Sequence, residues 1–263
     1  MADDIDLTRP SAARVYDYYL GGAHNFAVDR DMALKAIELW PELPLIMQAN
    51  RAFLRRAVEY CAARGVRQFL DLGSGIPTAG NVHEVAHRAD PGARVVYVDN
   101  DPIAVTYSRT ILGDDRRTAV VQEDLRRPER VLGHPAVRDL LDFDRPIAVM
   151  MVAVLHFVTD ADRPDDLVAA YRDAVAPGSH LVVSHATRDG QDEQADSHQD
   201  LYRKRTATPM TMRSADRVRA LFAGYELVEP GVVHLPLWRP ASPEEVGAAP
   251  ERFAGLAAVG RKP

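Results

Sequence analysis

The feature of this sequence that most constrains its fold is the run Phe69-Leu-Asp-Leu-Gly-Ser-Gly75. Its first half has the apolar residues of a buried strand, and its glycines let the backbone turn tightly and approach a ligand without a Cβ in the way. A second run, Val95-Val-Tyr-Val-Asp99, predicts another buried strand, which ends in an acid. An acid at that position can bind both hydroxyls of a ribose. The two runs therefore predict a nucleoside site at the carboxyl ends of parallel strands.

The glycine turn differs from the fingerprint of dinucleotide-binding proteins. That fingerprint is Gly-x-Gly-x-x-Gly, whereas here Gly73-Ser-Gly75 is followed by Ile76-Pro77-Thr78, and the next glycine is Gly80. Asp99 also lies 26 residues after Gly73, farther than the spacing of about 20 residues in NAD-binding domains. Both differences disfavour a pyrophosphate ligand, and a tight turn without any ligand remains the structural alternative.

Composition limits the classes of protein that this chain can belong to. Its 263 residues, 46% of them hydrophobic, are enough for one large domain or a domain with a cap. A net charge of −6 argues against a broad nucleic-acid-binding face, and the single Cys61 favours a reducing compartment. The acidic start is unlike a signal peptide, and the longest apolar run, 147–158, is far shorter than the ~20 residues that span a bilayer. We therefore expect a cytoplasmic protein with neither a membrane nor a nucleic acid as partner.

The first 65 residues predict a helical segment. A first helix is predicted from an apolar stripe that ends at Gly21-Gly22 and consists of Ala12, Val15, Tyr16, Tyr19 and Leu20. A second helix is predicted from a cap at Asp29 to Leu39, and a third from about Leu45 to Arg64. We expect residues 1–65 to form a helical cap that makes one compact unit with a ligand-binding domain over residues 66–263.

The chain from residue 66 onwards alternates between strand and helix patterns. Strands are predicted at 67–72, 94–99, 118–122, 146–153 and 180–186. Helix-forming segments between them imply right-handed crossovers and a parallel sheet. A helix at 214–223 is followed by strand-like segments at 225–229, 231–235 and 255–260, so the last strand, reached through a loop, should be antiparallel. The predicted fold class is α/β, with a Rossmann-like sheet of seven strands.

Several motifs resemble those of a large bacterial family of S-adenosyl methyltransferases, many of whose members have no assigned substrate. The most specific is Pro10-Ser-Ala-Ala-Arg-Val-Tyr-Asp-Tyr-Tyr-Leu-Gly-Gly22; the others are Asn25-Phe26, Asn50-Arg51-Ala-Phe-Leu-Arg55, Asn81-Val-His-Glu-Val85 and Tyr97-Val-Asp-Asn-Asp-Pro102. The Gly73-Ser-Gly75 turn is similar to motif I of class I methyltransferases. This resemblance covers nearly the whole chain. It implies a class I sheet and S-adenosyl-L-methionine (SAM) as cofactor, but it does not identify an acceptor.

With SAM as cofactor, the strand ends supply most of the predicted binding residues. The turn residues Gly73, Ser74 and Gly75 should face the methionine portion and the ribose. Asp71 should hold the loop or bind the ammonium group through water, with a purely structural turn bond as the alternative. Asp99 is predicted to bind the ribose. Asn100 and Asp101 should touch either the adenine or the ribose. Asp124 resembles the acid that bonds the adenine amino group in the family, with Glu123 as the alternative acid, and Leu125 beside it is assigned to the cofactor site.

The fourth strand and the cap supply the remaining predicted site residues. Residues 152–156, including Ala153, end the strand at the place where cofactor and acceptor pockets meet in the family. Arg51 is predicted to pair with the methionine carboxylate, although an arginine on a helix commonly faces solvent. The cap should contribute Tyr16, Tyr19 and Asn25 to the cofactor site, with Tyr18 and Phe26 as possible walls. His156 is the candidate general base, and a packed strand-end histidine is the alternative.

One motif suggests zinc chemistry instead. His83-Glu84-Val-Ala-His87 matches H-E-x-x-H, but no third ligand follows at the required spacing, and the helix that carries it should pack against the sheet. We therefore predict no metal. The sequence favours a SAM-dependent methyltransferase with an unidentified small-molecule acceptor. A non-catalytic SAM-binding regulatory protein and an NAD(P)-dependent oxidoreductase are the alternatives.

Overall fold

A computed structural model describes residues 8–77, 80–206 and 208–263 of the chain. Within these ranges, eight strands form one sheet in the order β3-β2-β1-β4-β5-β8-β6, with β7 also paired to β8. The strands are β1 (Gln68–Leu72), β2 (Arg94–Asp99), β3 (Thr118–Gln122), β4 (Ala148–Val152), β5 (His180–Ala186), β6 (Glu226–Leu227), β7 (Val233–His234) and β8 (Gly255–Arg261). Strands β1 to β5 pair in parallel, and β8 pairs antiparallel to β5.

Helices cover both faces of this sheet. They are α1 (Ala12–Tyr19), α2 (Ala27–Leu39), α3 (Leu43–Ala63), α4 (Val82–Ala89), α5 (Pro102–Leu112), α6 (Pro128–Gly133), α7 (Pro135–Leu140), α8 (Pro164–Ala174), α9 (Asp192–Arg205) and α10 (Ala215–Ala220). Alternate residues of a strand point to opposite faces, so Phe69 packs in one buried cluster with α1 to α4 and α9, whereas Leu70 packs in another with α6 to α8 and α10. Because both faces are covered, β1 and β4 are continuous buried runs.

The order of the strands places a ligand crevice between β1 and β4. The chain runs from β1 through β2 to β3 on one side and then returns to β4 and β5 on the other. In open α/β sheets, ligands bind at the carboxyl ends of the strands where the order reverses in this way. Asp71, near the end of β1, pairs in register with Tyr97 of β2 and Met150 of β4. The predicted glycine turn therefore lies at the reversal point.

The α/β class and the antiparallel last strand are confirmed, but the predicted count of seven strands is wrong. The predicted strand-like segments at 225–229 and 231–235 contain two separate short strands, β6 and β7, and both pair with β8, which brings the count to eight. A turn at 228–231, in which Gly231 N donates to Val228 O, separates them. Asp29 is also not the cap of α2. It lies in the first turn of that helix, where its carboxylate accepts from Phe26 N (2.9 Å) and pairs with Arg14.

The three N-terminal helices share their core with the sheet. Phe53 and Cys61 of α3 lie in the same buried cluster as Phe69 of β1 and Val259 of β8. The buried Arg56 also joins α3 to the C-terminal region, because its guanidinium donates to Trp238 O and Leu235 O, both at 2.8 Å. A division of the chain at residues 65 and 66 stays a prediction. Among the described residues, no helix is long and apolar enough to cross a membrane.

Candidate functional site

A cavity of about 440 Å³ lies at the carboxyl ends of the strands. The ends of β1, β2, β4 and β5 form its floor, and helices α1, α3 and α9 contribute to its walls. A cavity of this size falls in the range of ligand sites, which is about 300–1,000 Å³. Nearly every residue predicted for cofactor binding lines it: Tyr16, Tyr19, Arg51, Asp71, Gly73, Ser74, Gly75, Asp99, Asn100, Asp101, Asp124, Leu125 and Ala153.

The turn after β1 depends on its glycines. Gly73 and Gly75 have φ angles of 74° and 64°, which L side chains rarely adopt. A Cβ on Gly73 would also lie 2.2 Å from a methyl carbon of Val154. The backbone folds back onto β2, since Gly73 N donates to Val98 O at 2.8 Å. The Ser74 Oγ is buried and has no partner among the described residues, so a polar ligand atom at this turn would satisfy it.

Asp99 organises the loops around the glycine turn. Its Oδ2 accepts from Gly75 N at 2.7 Å, and its Oδ1 accepts from Asp101 N at 2.9 Å. Burial raises the pKa of Asp99 to about 6, although these backbone N–H groups favour the ionised form. Each carboxylate oxygen has a second lone pair, so the group can still accept from a ribose diol. Asp101 is occupied differently, because it caps α5 through Ile103 N and accepts from Ser11 Oγ.

Asp71 is a second buried carboxyl at this end of the cavity. Burial raises its pKa to about 7, the nearby Arg51 opposes that rise, and the charge of Asp99 adds to it. Arg51 is partly exposed and donates from Nη2 to Asn81 Oδ1 at 2.7 Å. We call the part of the cavity beside Asp71, Asp99 and Arg51 the cofactor end. It thus contains two buried acids with the guanidinium of Arg51 near them. This arrangement suits a ligand that carries both an ammonium and a carboxylate group.

A chain of hydrogen bonds joins the first helix to the end of β4. Asn50 Nδ2 donates to the Tyr16 hydroxyl at 2.8 Å, Ser184 Oγ donates to Asn50 Oδ1 at 2.5 Å, and Ala153 N donates to Ser184 Oγ at 2.9 Å. Sequence reasoning did not assign Asn50 or Ser184 to the site. The sequence did contain a signal that could have identified both residues, namely a polar residue within an apolar pattern. Asn50 lies between Met47 and Leu54 on the stripe of α3, and Ser184 interrupts the apolar strand β5.

Asp124 and Leu125 line the cavity after β3, as expected from their place in the chain. Asp124 forms a close ion pair with Arg126 (2.6 Å). Burial alone would raise the pKa of Asp124, but its hydrogen bonds with Arg126 outweigh this and lower it. Leu125 O accepts from the Tyr171 hydroxyl at 2.9 Å, which fixes this loop against α8. Glu123, the alternative acid, lines the cavity as well.

His156 lies in a short 3₁₀ turn after β4 and lines the cavity. Burial lowers its pKa well below the usual value, with further contributions from His185 and Arg213, so the ring is neutral at pH 7. Its Nδ1 accepts a long hydrogen bond of 3.5 Å from Ala186 N. This contact places the ring proton on Nε2. The general-base role of His156 stays a prediction, and in this tautomer Nε2 donates.

Some of the proposed site residues lie elsewhere. The residues that line the cavity do not include Asn25, Tyr18 or Phe26. Asn25 closes the turn between α1 and α2 instead, since its amide donates to Asp17 Oδ2 at 2.9 Å and to Gly22 O at 2.8 Å. A local turn therefore uses the donors that sequence reasoning assigned to the cofactor.

The two histidines of the H-E-x-x-H motif have separate partners. His83 Nδ1 is 2.7 Å from the Tyr97 hydroxyl, and His87 Nε2 is 3.0 Å from Ala93 O. Across the described parts of the chain, no group of three or more His, Cys, Asp or Glu residues could hold a metal ion. These contacts give both histidines a structural role on α4.

Comparison with known proteins identifies the family. A family model described as S-adenosyl methyltransferase matches residues 1–263. A candidate methyltransferase of Thermobifida fusca YX is 43% identical, with a TM-score of 0.92 over 98% of this chain and 97% of its own. A DUF574 family protein of Streptomyces avermitilis MA-4680 is 39% identical, with a TM-score of 0.94 over 99% of this chain and 100% of its own.

A more distant structure shares only the fold. Human N-acetylserotonin methyltransferase, solved in complex with SAM, is 16% identical, with a TM-score of 0.50 over 99% of this chain and 65% of its own. No curated protein matches the sequence. The family match confirms the predicted resemblance and SAM as the cofactor.

Proposed function

Since the chain belongs to the S-adenosyl methyltransferase family, we propose that it is an enzyme that methylates a small-molecule acceptor in the cytoplasm. The observation that carries this proposal is that one continuous cavity holds the residues predicted for the cofactor and the candidate acceptor region. Its cofactor end has the buried acid Asp99 and the Ser74 Oγ, which has no partner in the described part of the chain, and the same cavity continues past Ala153 and His156 to walls that carry no charged side chains. Both substrates can therefore meet in the same cavity.

The residues of the cofactor end fit the parts of SAM. Asp99 would accept from the ribose hydroxyls, Ser74 Oγ would bond a polar atom of the methionine portion, and Gly75 leaves room for the ligand. Asp71 and Arg51 would hold the ammonium and carboxylate groups. The exposed Asn100 and the pair Asp124 and Leu125 would line the adenine, with Asp101 shaping the loop beside it.

When bound, SAM supplies a methyl group on a cationic sulfonium, and the S–CH₃ bond electrons stay on sulfur as the acceptor's lone pair forms the new bond. The protein contributes proximity, orientation and the exclusion of water, which together account for much of the rate of such a transfer. Helix α1 covers the site with Tyr16 and Tyr19 on the cavity side. The hydrogen bonds from Tyr16 through Asn50 and Ser184 hold that helix to the end of β4.

His156 would act on the acceptor through Nε2. Because Nδ1 accepts from Ala186 N, Nε2 carries the ring proton and donates a hydrogen bond. It would orient the atom that receives the methyl group without removing a proton from that atom. Replacement by Gln, measured with an acceptor once one is identified, tests this role. A loss of activity smaller than about tenfold supports orientation, whereas a loss of 10²–10⁴ with a changed pH profile supports a general base.

Calorimetric titration tests the proposed function without an acceptor. We expect micromolar binding of SAM and S-adenosylhomocysteine and no heat with NAD. Binding of NAD without binding of SAM would overturn the proposal. Binding of SAM with no methyl transfer to any member of a broad acceptor library would instead favour a regulatory SAM-binding protein.

A further inference from the structure

The cavity extends beyond its cofactor end into a part that we call the aromatic chamber. Its walls come from the end of α2, from α3 and α9, and from the loop before α10, and they are formed by Trp40, Leu43, Met47, Phe157, His198, Tyr202, Met210 and Met212. We propose that the acceptor is an uncharged aromatic compound with a hydrogen-bonding substituent, held in this chamber by His198 and Tyr19. This inference rests on the proposed methyl transfer and names its substrate class.

The rings of the chamber form one continuous wall. The ring centroids of Trp40 and His198 are 6.0 Å apart, those of His198 and Tyr202 are 5.0 Å apart, and those of Tyr202 and Phe157 are 5.9 Å apart. Phe157 then meets His156 at 4.4 Å. Aromatic rings separated by 4.5–7 Å attract one another through offset or edge contacts. A flat aromatic ligand can add to such a row, whereas a saturated ring makes poorer contacts with it.

The chamber has no charge to neutralise an ionic acceptor. None of its walls is an Asp, Glu, Lys or Arg residue. The charged residues that line the cavity lie outside this set and are Arg9, Arg14, Arg51, Asp71, Asp99, Asp101, Glu123, Asp124 and Arg126. Burial lowers the pKa of His198 to about 4, so its ring is neutral at pH 7. A carboxylate or an ammonium group would lose its hydration here without gaining a partner. An uncharged ligand is therefore favoured.

One buried polar atom of the chamber has no hydrogen-bond partner among the described residues. His198 is only 3% exposed, and its Nδ1 makes no hydrogen bond with any described residue. The Tyr19 hydroxyl has only the neighbouring hydroxyl of Tyr202 as a possible partner in that part of the chain. Buried polar groups in proteins are nearly always paired, and both residues line the cavity, so a hydrogen-bonding ligand in the chamber would supply what His198 lacks. A hydroxyl or N–H substituent fits, because a neutral imidazole nitrogen donates or accepts according to its tautomer.

The chain contains a natural control for this argument. His180 on β5 is also 3% exposed, and within the described ranges both of its ring nitrogens lack a side-chain hydrogen-bond partner. It does not line the cavity, however, and lies instead beside Tyr60. Replacing either histidine by Phe keeps an aromatic ring and removes the polar atoms. Only the change at His198 should affect a ligand in the chamber.

The experiment uses the full chain saturated with S-adenosylhomocysteine and three probes in calorimetric titrations: 2-naphthol, 2-naphthoate and decahydro-2-naphthol. We expect 2-naphthol to bind at least about tenfold more tightly than 2-naphthoate, which buries a charge, and than decahydro-2-naphthol, which lacks the aromatic face. Equal affinities for the three probes, or no binding of 2-naphthol, would overturn the inference.

The variants separate a ligand role from a structural one. His198→Phe should weaken 2-naphthol binding at least about fivefold, His198→Gln should retain part of the affinity, and His180→Phe should leave it unchanged. An equal effect of both Phe variants would defeat the inference. Binding of S-adenosylhomocysteine, measured on each protein, should stay constant. If the wild type fails to bind it, the proposed function fails, whereas normal binding without any preference among the probes refutes only the aromatic acceptor.

Discussion

The two ends of the cavity differ in how far backbone hydrogen bonds fix their shape. At the cofactor end, the carboxylate of Asp99 already accepts from Gly75 N and Asp101 N, so the site keeps its shape through its own backbone. In the aromatic chamber, His198 Nδ1 has no such bond among the described residues. The first end is built from short stretches at strand ends, and the second from helices that meet only in the folded chain. The cofactor end is thus the more strongly preorganised of the two.

The largest expected effect concerns the glycine turn of the cofactor end. Gly73→Ala forces a Cβ against Val154 and places a side chain at positive φ, so we expect a loss of about 2–4 kcal/mol in the free energy of unfolding and no measurable SAM binding. Gly247→Ala is the control, because its φ is also positive but its surroundings are open. Urea unfolding and calorimetry check both, and equal effects would contradict the steric argument.

The next effect tests the ribose contact. Asp99→Ala removes two charge-assisted hydrogen bonds, each contributing roughly 1.5–3 kcal/mol, and frees the amides of Gly75 and Asp101. SAM affinity should fall at least about tenfold, while the affinity for 2-naphthol should change less. The control is Asp139→Ala, at an exposed position of α7. An unchanged SAM affinity would mean that Asp99 serves the loops only.

A pH effect of intermediate size should come from Asp71. Because burial raises its pKa to about 7, the folded protein binds a proton that the unfolded chain releases near pH 4. Its contribution to stability is therefore present below pH 4 and is lost as the pH rises from about 4 to about 7. The buried histidines, with lowered pKa values, act in the opposite direction.

Asp71→Asn isolates this contribution. The variant keeps the histidines, so the difference in unfolding free energy between variant and wild type should grow in favour of the variant from pH 5 to pH 8. Urea unfolding of the ligand-free proteins measures it. A difference that stays constant over this range would show that Asp71 titrates normally.

The smallest effect compares two tyrosines of α1. Tyr16→Phe removes the acceptor of Asn50 Nδ2 and should weaken SAM binding by about 1 kcal/mol, the usual contribution of one hydrogen bond. Tyr18 does not line the cavity, so Tyr18→Phe is the matched control and should bind SAM normally. Calorimetry measures the SAM affinity of both variants. Equal affinities would show that the cap has a structural role only.

Local patterns account for what the sequence could predict. The bounds predicted for β2, β3 and β5 match the structure, because each is a compact apolar run between helix-forming segments. The Gly73 turn was predicted from the apolar run that forms β1, and Asp99 from the run that forms β2. The family resemblance extended the same logic to Asp124 and Leu125, which also line the cavity.

What depended on long-range packing could not be predicted. His198 and Trp40 are in contact although more than 150 residues separate them in the chain, and no sequence pattern predicts that contact. For Asn25 the missed contact is local. The side-chain amide that was assigned to the ligand donates to Asp17, eight residues earlier in the chain. The count of seven strands was wrong because pairing of both segments, 225–229 and 231–235, with β8 depends on contacts across the sheet.

Helix α1 has one further consequence for the order of steps in the proposed methyl transfer. Tyr16 lies at the cofactor end and Tyr19 at the chamber, three residues apart on one face of a two-turn helix. A helix this short moves as one body, so lifting it uncovers both compartments together. Substrate binding and product release would then depend on the same movement of α1, and a slower movement would slow both. Stopped-flow release of S-adenosylhomocysteine should accordingly become slower when 2-naphthol occupies the chamber and presses against the same helix.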